Sequence, residues 1–95
     1  MAIARIYTLI PGEGQETALE DAMAALADAL SNAEGNLATQ ILRSGREPAQ
    51  YRFVEHWVDD AARKAGGGSV DKAIMGQLMA ALGEPPKTED YEVLR

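Results

Sequence analysis

Residues 51–58 read Tyr-Arg-Phe-Val-Glu-His-Trp-Val, which is the strongest β-strand pattern in the chain. Aromatic and β-branched residues suit the pleated surface of a sheet, so the stretch predicts a β-strand. Side chains of a strand alternate between two faces, which puts Phe53 and Trp57 on one face and Val54 and Val58 on the other. Both faces therefore carry apolar groups, and both need a covering layer.

The residues before this strand predict a strand, a helix and a second strand. Residues 3–10 are apolar and end at the turn-forming pair Pro11-Gly12. Residues 37–44 predict the next strand, and 45–50 the turn that leads into residue 51. Between the first two strands, from Gly14 to Ser31, apolar residues recur at the spacing of one helix face. They are Leu19, Ala22, Met23, Leu26 and Leu30.

The residues after it predict a broken helix and a last strand. Asp59 is a suitable N-cap for a short helix over 60–65, but each glycine of the run 66–68 costs a helix about 1 kcal/mol relative to alanine. We therefore expect the helix to end there, with the glycines as a flexible linker and Ser69 capping a second segment. Thr88 to Leu94 predicts the fourth strand. The apolar stripe of the second segment is Val70, Ile74, Leu78, Ala81 and Leu82.

The order βαββαβ predicts one α+β domain over residues 1–95, with a ferredoxin-like antiparallel sheet and two helices on one face, the second helix broken. The helices leave the other sheet face uncovered. Ile6 and Ile10 lie on that face with Val54 and Val58. We expect a homodimer through this face, which would form a dimeric α/β barrel. The alternative is that these are scattered apolar residues of an ordinary surface.

Composition argues against several classes of partner. The net charge of −6 repels phosphate backbones, so nucleic acid is not expected. No apolar run approaches the roughly 20 residues that cross a bilayer, so no membrane partner is expected either. The absence of cysteine excludes disulfides and thiolate sites. The N-terminal residues 1–5 lack the order of a signal peptide, which favours the cytoplasm.

Two motifs resemble the central signature of the antibiotic-biosynthesis-monooxygenase family. They are the run Glu34-Gly35-Asn36-Leu37 and the strand that follows Glu47-Pro48 and contains Glu55 and Trp57. The resemblance implies a dimeric ferredoxin-like fold with a cleft between sheet and helices in each subunit. It also implies a cofactor-independent monooxygenase acting on a small quinol-like or polyphenolic aromatic compound.

The chain departs from the family at the second helix. Many members have a histidine nine residues after the strand tryptophan, and here that place falls in the glycine run 66–68. The residues expected in the haem-degrading branch are also missing, so haem degradation is not expected. We therefore expect no cofactor and no metal ion. The alternative function is a non-catalytic dimeric barrel protein that binds a small apolar ligand.

Trp57 and Glu55 are the candidate catalytic residues. Trp57 would stack on a planar substrate, and a buried Glu55 beside it would accept a proton from a phenol. The alternatives are that Trp57 is core and that Glu55 makes a structural hydrogen bond.

Six further residues are candidates for substrate binding: Tyr7, Arg5, Phe53, Tyr51, Met23 and Met75. Tyr7 would donate a hydrogen bond into the cleft, and Arg5 would pair with an anionic oxygen. His56 is the only histidine. Strand alternation directs it away from Trp57, which favours an interface or surface role.

Overall fold

A computed structural model describes all 95 residues, and it confirms the ferredoxin-like α+β class. The order of elements is βαβ-βααβ, with the second helical region divided in two. The elements are β1 (Ile3–Leu9), α1 (Glu16–Ser31), β2 (Asn36–Arg43), β3 (Tyr51–Trp57), α2 (Asp60–Gly68), α3 (Lys72–Ala80) and β4 (Lys87–Glu92).

The four strands form one antiparallel sheet in the order β2-β3-β1-β4. The register between the two central strands places Tyr7 opposite Phe53 and Arg5 opposite Glu55. On the other side of β1, Asp90 of β4 lies opposite Arg5. These pairs share the sheet face that the helices cover, so the register brings charged and aromatic side chains together under the helices.

The core lies between that inner face and the helices. Its three aromatic side chains, Tyr51, Phe53 and Trp57, are each at most 1% exposed. They pack with the predicted apolar stripe of α1, all of whose members are buried. The inner face of β3 and one face of α1 therefore supply eight of the twelve residues of the hydrophobic core, as the spacing of the two segments predicts.

The glycine run departs from the sequence-based prediction of a break at residue 66. Helix α2 continues through the glycines to Gly68, so they are helical and the predicted flexible linker is wrong. Gly66 packs against the Trp57 indole so closely that a Cβ atom added there would lie 2.6 Å from Cζ3 of the ring. Packing on the indole needs a residue without a side chain, and the contact outweighs the low helix propensity of glycine.

The caps between α2 and α3 also differ from the prediction. Ser69 ends α2 instead of starting α3, and its hydroxyl donates to the Gly66 carbonyl at 2.7 Å. Asp71 caps α3 by accepting from the Ala73 amide at 2.9 Å. The last strand is also shorter at its end than predicted, because it stops at Glu92.

Gly35 explains why the acidic-Gly pair follows α1. Its φ of +84° lies in the left-handed region, which glycine enters without steric cost. A Cβ atom here would also lie 2.5 Å from that of Ala62 in α2, while the Gly35 carbonyl accepts from the Val58 amide at 2.9 Å. The motif is thus a tight structural joint between β2, β3 and α2.

The outer face of the sheet has no helix over it. Ala4, Ile6 and Val54 lie along its middle, and Leu42 and Tyr91 on the same face are 47% and 49% exposed. None of the helices has the length and hydropathy needed to cross a membrane.

Candidate active site

A pocket opens between the inner sheet face and the helices. Its cavity volume is about 70 Å³, within about 410 Å³ of space that no atom fills when the open mouth is counted, and eight of its ten lining residues are hydrophobic. A concave, mainly apolar pocket with a few convergent polar groups is the usual form of a small-molecule site. The lining residues are Tyr7, Leu9, Leu26, Leu30, Phe53, Glu55, Gly67, Val70, Met75 and Leu78.

Strand pairing sets the two polar groups of the pocket beside one another. Tyr7 is two residues beyond Arg5 on β1, and Arg5 is directly opposite Glu55 on β3, so the phenol and the carboxylate are diagonal neighbours on one face. Helices α1 and α3 supply only apolar side chains to the walls, which come from Leu26 and Leu30 in α1 and from Met75 and Leu78 in α3. The pocket thus has one polar wall on the sheet and apolar walls elsewhere.

Glu55 is the one charged residue that the fold buries, at 5% exposure. The Trp57 indole N–H donates to its Oε1 at 2.9 Å, which holds the carboxylate at the pocket. Burial raises the pKa of Glu55 above its ordinary value, because removing a charge from water disfavours it. The indole N–H, the charge of Arg5 and the Tyr7 hydroxyl oppose the rise in pKa without cancelling it.

Tyr7 is half-buried, and its phenol is kept in the neutral form. Burial raises the pKa of Tyr7, and the charge of Glu55 raises it further, while interaction with the Arg5 guanidinium lowers it. The guanidinium carbon lies 5.9 Å from the centre of the tyrosine ring. A neutral phenol is a hydrogen-bond donor, so the pocket contains a donor next to a proton acceptor.

Arg5 reaches away from the pocket to β4. Its Nε donates to Oδ1 of Asp90 at 2.7 Å, and its Nη2 donates to Oδ2 at 2.8 Å, a two-pronged pair that fixes the guanidinium plane. The bond from Arg5 holds the pKa of the Asp90 carboxyl below its usual range. Arg5 therefore lies beside the polar wall with its charge already paired.

The structure brings together four of the eight predicted site residues in the pocket wall: Glu55, Tyr7, Phe53 and Met75. Trp57 lies behind the wall with no exposure and reaches the pocket through its hydrogen bond to Glu55. Arg5 lies beside Tyr7, as described above.

Tyr51 and Met23 lie in the core, outside the pocket wall. The Tyr51 hydroxyl donates to Glu20 of α1, and burial raises its pKa to about 12. Met23 is fully buried. Both side chains serve packing between α1 and the sheet.

Sequence reasoning missed Asp90 and the apolar wall formed by Leu30 and Val70. The signal for Asp90 was the antiparallel pairing of β4 with β1, but its register could not be read from the sequence. Leu30 and Val70 were assigned to helix stripes as core, and apolar spacing cannot separate a core residue from a pocket wall.

His56 lies opposite Ala4 on the outer face, half-buried and away from the pocket. No group of three or more His, Cys, Asp or Glu side chains is placed to hold a metal ion.

The arrangement can move a proton and stabilise an anion. A carboxylate with a raised pKa is a better base at neutral pH than an exposed one, because its pKa is closer to that of the acid it deprotonates. The phenol beside it can donate to an oxygen on which negative charge develops.

The model of the antibiotic biosynthesis monooxygenase family matches residues 2–65. No curated protein matches the chain. The fold is similar to Rv0793 from Mycobacterium tuberculosis, which is 17% identical with a TM-score of 0.88 over 100% of this chain and 97% of that one. It is also similar to NE2512, a protein of unknown function from Nitrosomonas europaea, with 27% identity and a TM-score of 0.84 over 99% and 90% of the two chains.

A third similar structure is SnoaB, a cofactor-independent oxygenase from Streptomyces nogalater. It is 12% identical, with a TM-score of 0.83 over 99% of this chain and 94% of that one. At 12% identity, the similarity to SnoaB shows a shared fold and nothing more.

Proposed function

Because the chain belongs to the antibiotic biosynthesis monooxygenase family, we propose that it is a cofactor-independent monooxygenase that oxidises a small quinol-like or polyphenolic aromatic compound in the pocket. The observation that carries this proposal is a buried carboxylate with a raised pKa beside a phenol, at the polar wall of an otherwise apolar pocket. The apolar walls suit a flat aromatic ring, and the polar wall suits its hydroxyl groups.

The proposed reaction begins with proton transfer to Glu55. In a substrate such as an anthrone, the carboxylate takes a proton from the acidic CH₂ group and leaves an electron-rich carbanion. The Tyr7 hydroxyl donates to the oxygen over which that negative charge spreads. Trp57 orients the carboxylate, and Phe53 and Met75 hold the ring against it.

Dioxygen then supplies the oxidant. The substrate anion gives one electron to O₂, and the resulting radical and superoxide join in a C–O bond, forming a peroxide anion that takes the proton from Glu55. Loss of water across the C–O–O–H unit leaves a carbonyl. One CH₂ group and one O₂ thus become one C=O group and one water. The protein's role is to generate the anion and hold it in a dry site.

Oxygen consumption by metal-free and flavin-free protein tests this proposal. We expect uptake above autoxidation with members of a panel of quinols and anthrone-like phenols. Tyr7→Phe removes only the hydroxyl and should lower kcat by about 100-fold, the usual effect of losing one donor to a developing anion. Tyr91→Phe, whose hydroxyl bonds Glu89 on the outer face, is the matched control and should leave kcat unchanged.

Uptake no faster than autoxidation across the panel would contradict the proposal. Binding of the same compounds without turnover, measured by calorimetry, would instead identify a non-catalytic ligand-binding barrel.

We also propose that a second copy of the chain covers the outer sheet face. This face has Ala4, Ile6 and Val54 along its middle and the half-exposed Leu42 and Tyr91 on its edge strands, and no helix lies over it. Apolar side chains along the middle of a sheet face that no helix covers are typical of an interface between subunits. Its occupant is a second copy, because two such faces packed together form the dimeric α/β barrel that the family resemblance implies.

Sedimentation equilibrium tests the dimer. We expect twice the chain mass of 10.2 kDa. Ile6→Glu places a charge in the middle of the outer face and should shift the mass to that of one chain, because burying an unpaired carboxylate is costly. Met79→Glu, at an exposed position of α3, should remain a dimer. A wild-type protein of single-chain mass at 100 μM would refute this assignment of the face.

A further inference from the structure

We propose that Asp90 is a positioning residue that holds Arg5 away from Glu55 and so keeps that carboxylate available as a base. The inference rests on the proposed function, because it deepens the role given there to Glu55. It concerns a residue of β4, beyond the segment that the family model matches.

The argument begins with the sheet register. Arg5 of β1 has a carboxylate opposite it on each neighbouring strand, Glu55 on β3 and Asp90 on β4, and all three share the inner face. An arginine between two carboxylates can form a two-pronged pair with either. Here both prongs go to Asp90, at 2.7 and 2.8 Å.

The consequence for Glu55 is that its hydrogen bond comes from a neutral donor. That bond is the one from the Trp57 indole, at 2.9 Å. Had Arg5 turned to β3, it would have placed a full positive charge on the carboxylate. An opposite charge in contact stabilises the ionised form and lowers its basicity, and it also occupies the oxygens that must reach a substrate.

The other elements around Glu55 do not supply an equivalent charge. On β2, the residue opposite it is the neutral Thr39. Helix α2 contributes Arg63, whose charge acts weakly and whose Nε donates to Asp60 at 2.8 Å. Helices α1 and α3 present apolar side chains to the pocket, and Tyr7 is neutral. The guanidinium of Arg5 is therefore the main charge near the Glu55 carboxylate whose position can change, because it can pair with either Glu55 or Asp90.

The sole tryptophan offers a direct readout of this effect. Since the Trp57 N–H donates to Glu55, protonation of the carboxyl changes the acceptor from charged to neutral and alters the indole emission. We expect a fluorescence titration of the wild type with a midpoint above the ordinary range of a glutamate. Glu55→Gln should abolish that step, which assigns it.

Asp90→Asn is the test. It should release Arg5 to pair with Glu55, which would move the fluorescence midpoint down by about 1 pH unit or more and move the acidic limb of the pH profile of kcat with it. Glu92→Gln removes the same charge from the same face of β4 without changing a contact of Arg5. It should leave the fluorescence midpoint and the acidic limb of the kcat profile unchanged. Circular dichroism of each variant checks the fold.

A second background separates the role of Arg5 from a general charge effect. In Arg5→Gln protein, Asp90→Asn should move the midpoint much less, since no guanidinium remains to be redirected. An equal shift in both backgrounds, or none in the first, would overturn the inference. The titration needs no substrate, so it tests the role of Asp90 even if no turnover is found. A failure of the proposed function can therefore be distinguished from a failure of the Asp90 role.

Discussion

Glu55→Gln is expected to lower kcat by about 10²- to 10⁴-fold, the range associated with loss of a positioned general base. Glutamine has the shape of glutamate and keeps an oxygen to accept the Trp57 N–H, so the pocket should stay intact. It cannot accept a proton. Steady-state oxygen uptake with the best compound of the panel measures the effect, and Glu92→Gln serves as the matched control at an exposed carboxylate.

The same substitution should raise stability at neutral pH. Since burial raises the pKa of Glu55, the folded protein holds this proton to higher pH than the unfolded chain does. The free energy of unfolding of the wild type then falls as pH rises from the unfolded pKa through the folded one. Glu55→Gln removes this dependence, so the variant should be the more stable one above that window, and its advantage should vanish in acid.

Urea denaturation at several pH values measures this dependence. A variant that keeps wild-type kcat would show that Glu55 is not the base. A variant less stable than the wild type at neutral pH would show that the carboxylate is needed for structure. These outcomes separate the two interpretations of Glu55 that the sequence left open.

Gly66→Ala is expected to lower the free energy of unfolding by about 2 kcal/mol, a typical cost of inserting a methyl group into a filled space. The added Cβ would collide with the Trp57 ring, and the ring cannot move freely because it is fully buried and bonded to Glu55. The better helix propensity of alanine offsets only part of this cost. A thermal midpoint lowered by roughly 10 °C follows for a domain of this size.

Gly68→Ala is the matched control for the glycine run. It lies in the same helix with no atom within 4 Å of an added Cβ, and its φ is not positive. Alanine there should stabilise the protein by up to about 1 kcal/mol. Equal effects at both positions would mean that propensity alone governs the run. A destabilised Gly66→Ala protein that also loses turnover would connect the helix contact to the orientation of Trp57.

The elements whose residues repeat with a clear period could be predicted from the sequence. Alternation along residues 51–57 predicted which side chains of β3 face the core, and the stripe of α1 predicted its buried face, because both depend on local backbone geometry. Glu55 and Tyr7 were also reached from the sequence, as both share the inner face with Trp57. The absence of the family's second-helix histidine from the glycine run was also visible in the sequence, but the packing of Gly66 on Trp57 was not.

The contacts of each inner-face residue depend on packing between segments that are distant in the sequence. The glycine run stays helical, and at Gly66 the Trp57 ring fills the space that a side chain would need, a contact between distant segments that helix propensity does not describe. Tyr51 lies in the core while Phe53 lines the pocket, since the placement of the helices over the sheet separates filled from open space. Arg5 pairs with Asp90 because the register of β4 brings the two together across 85 residues of chain.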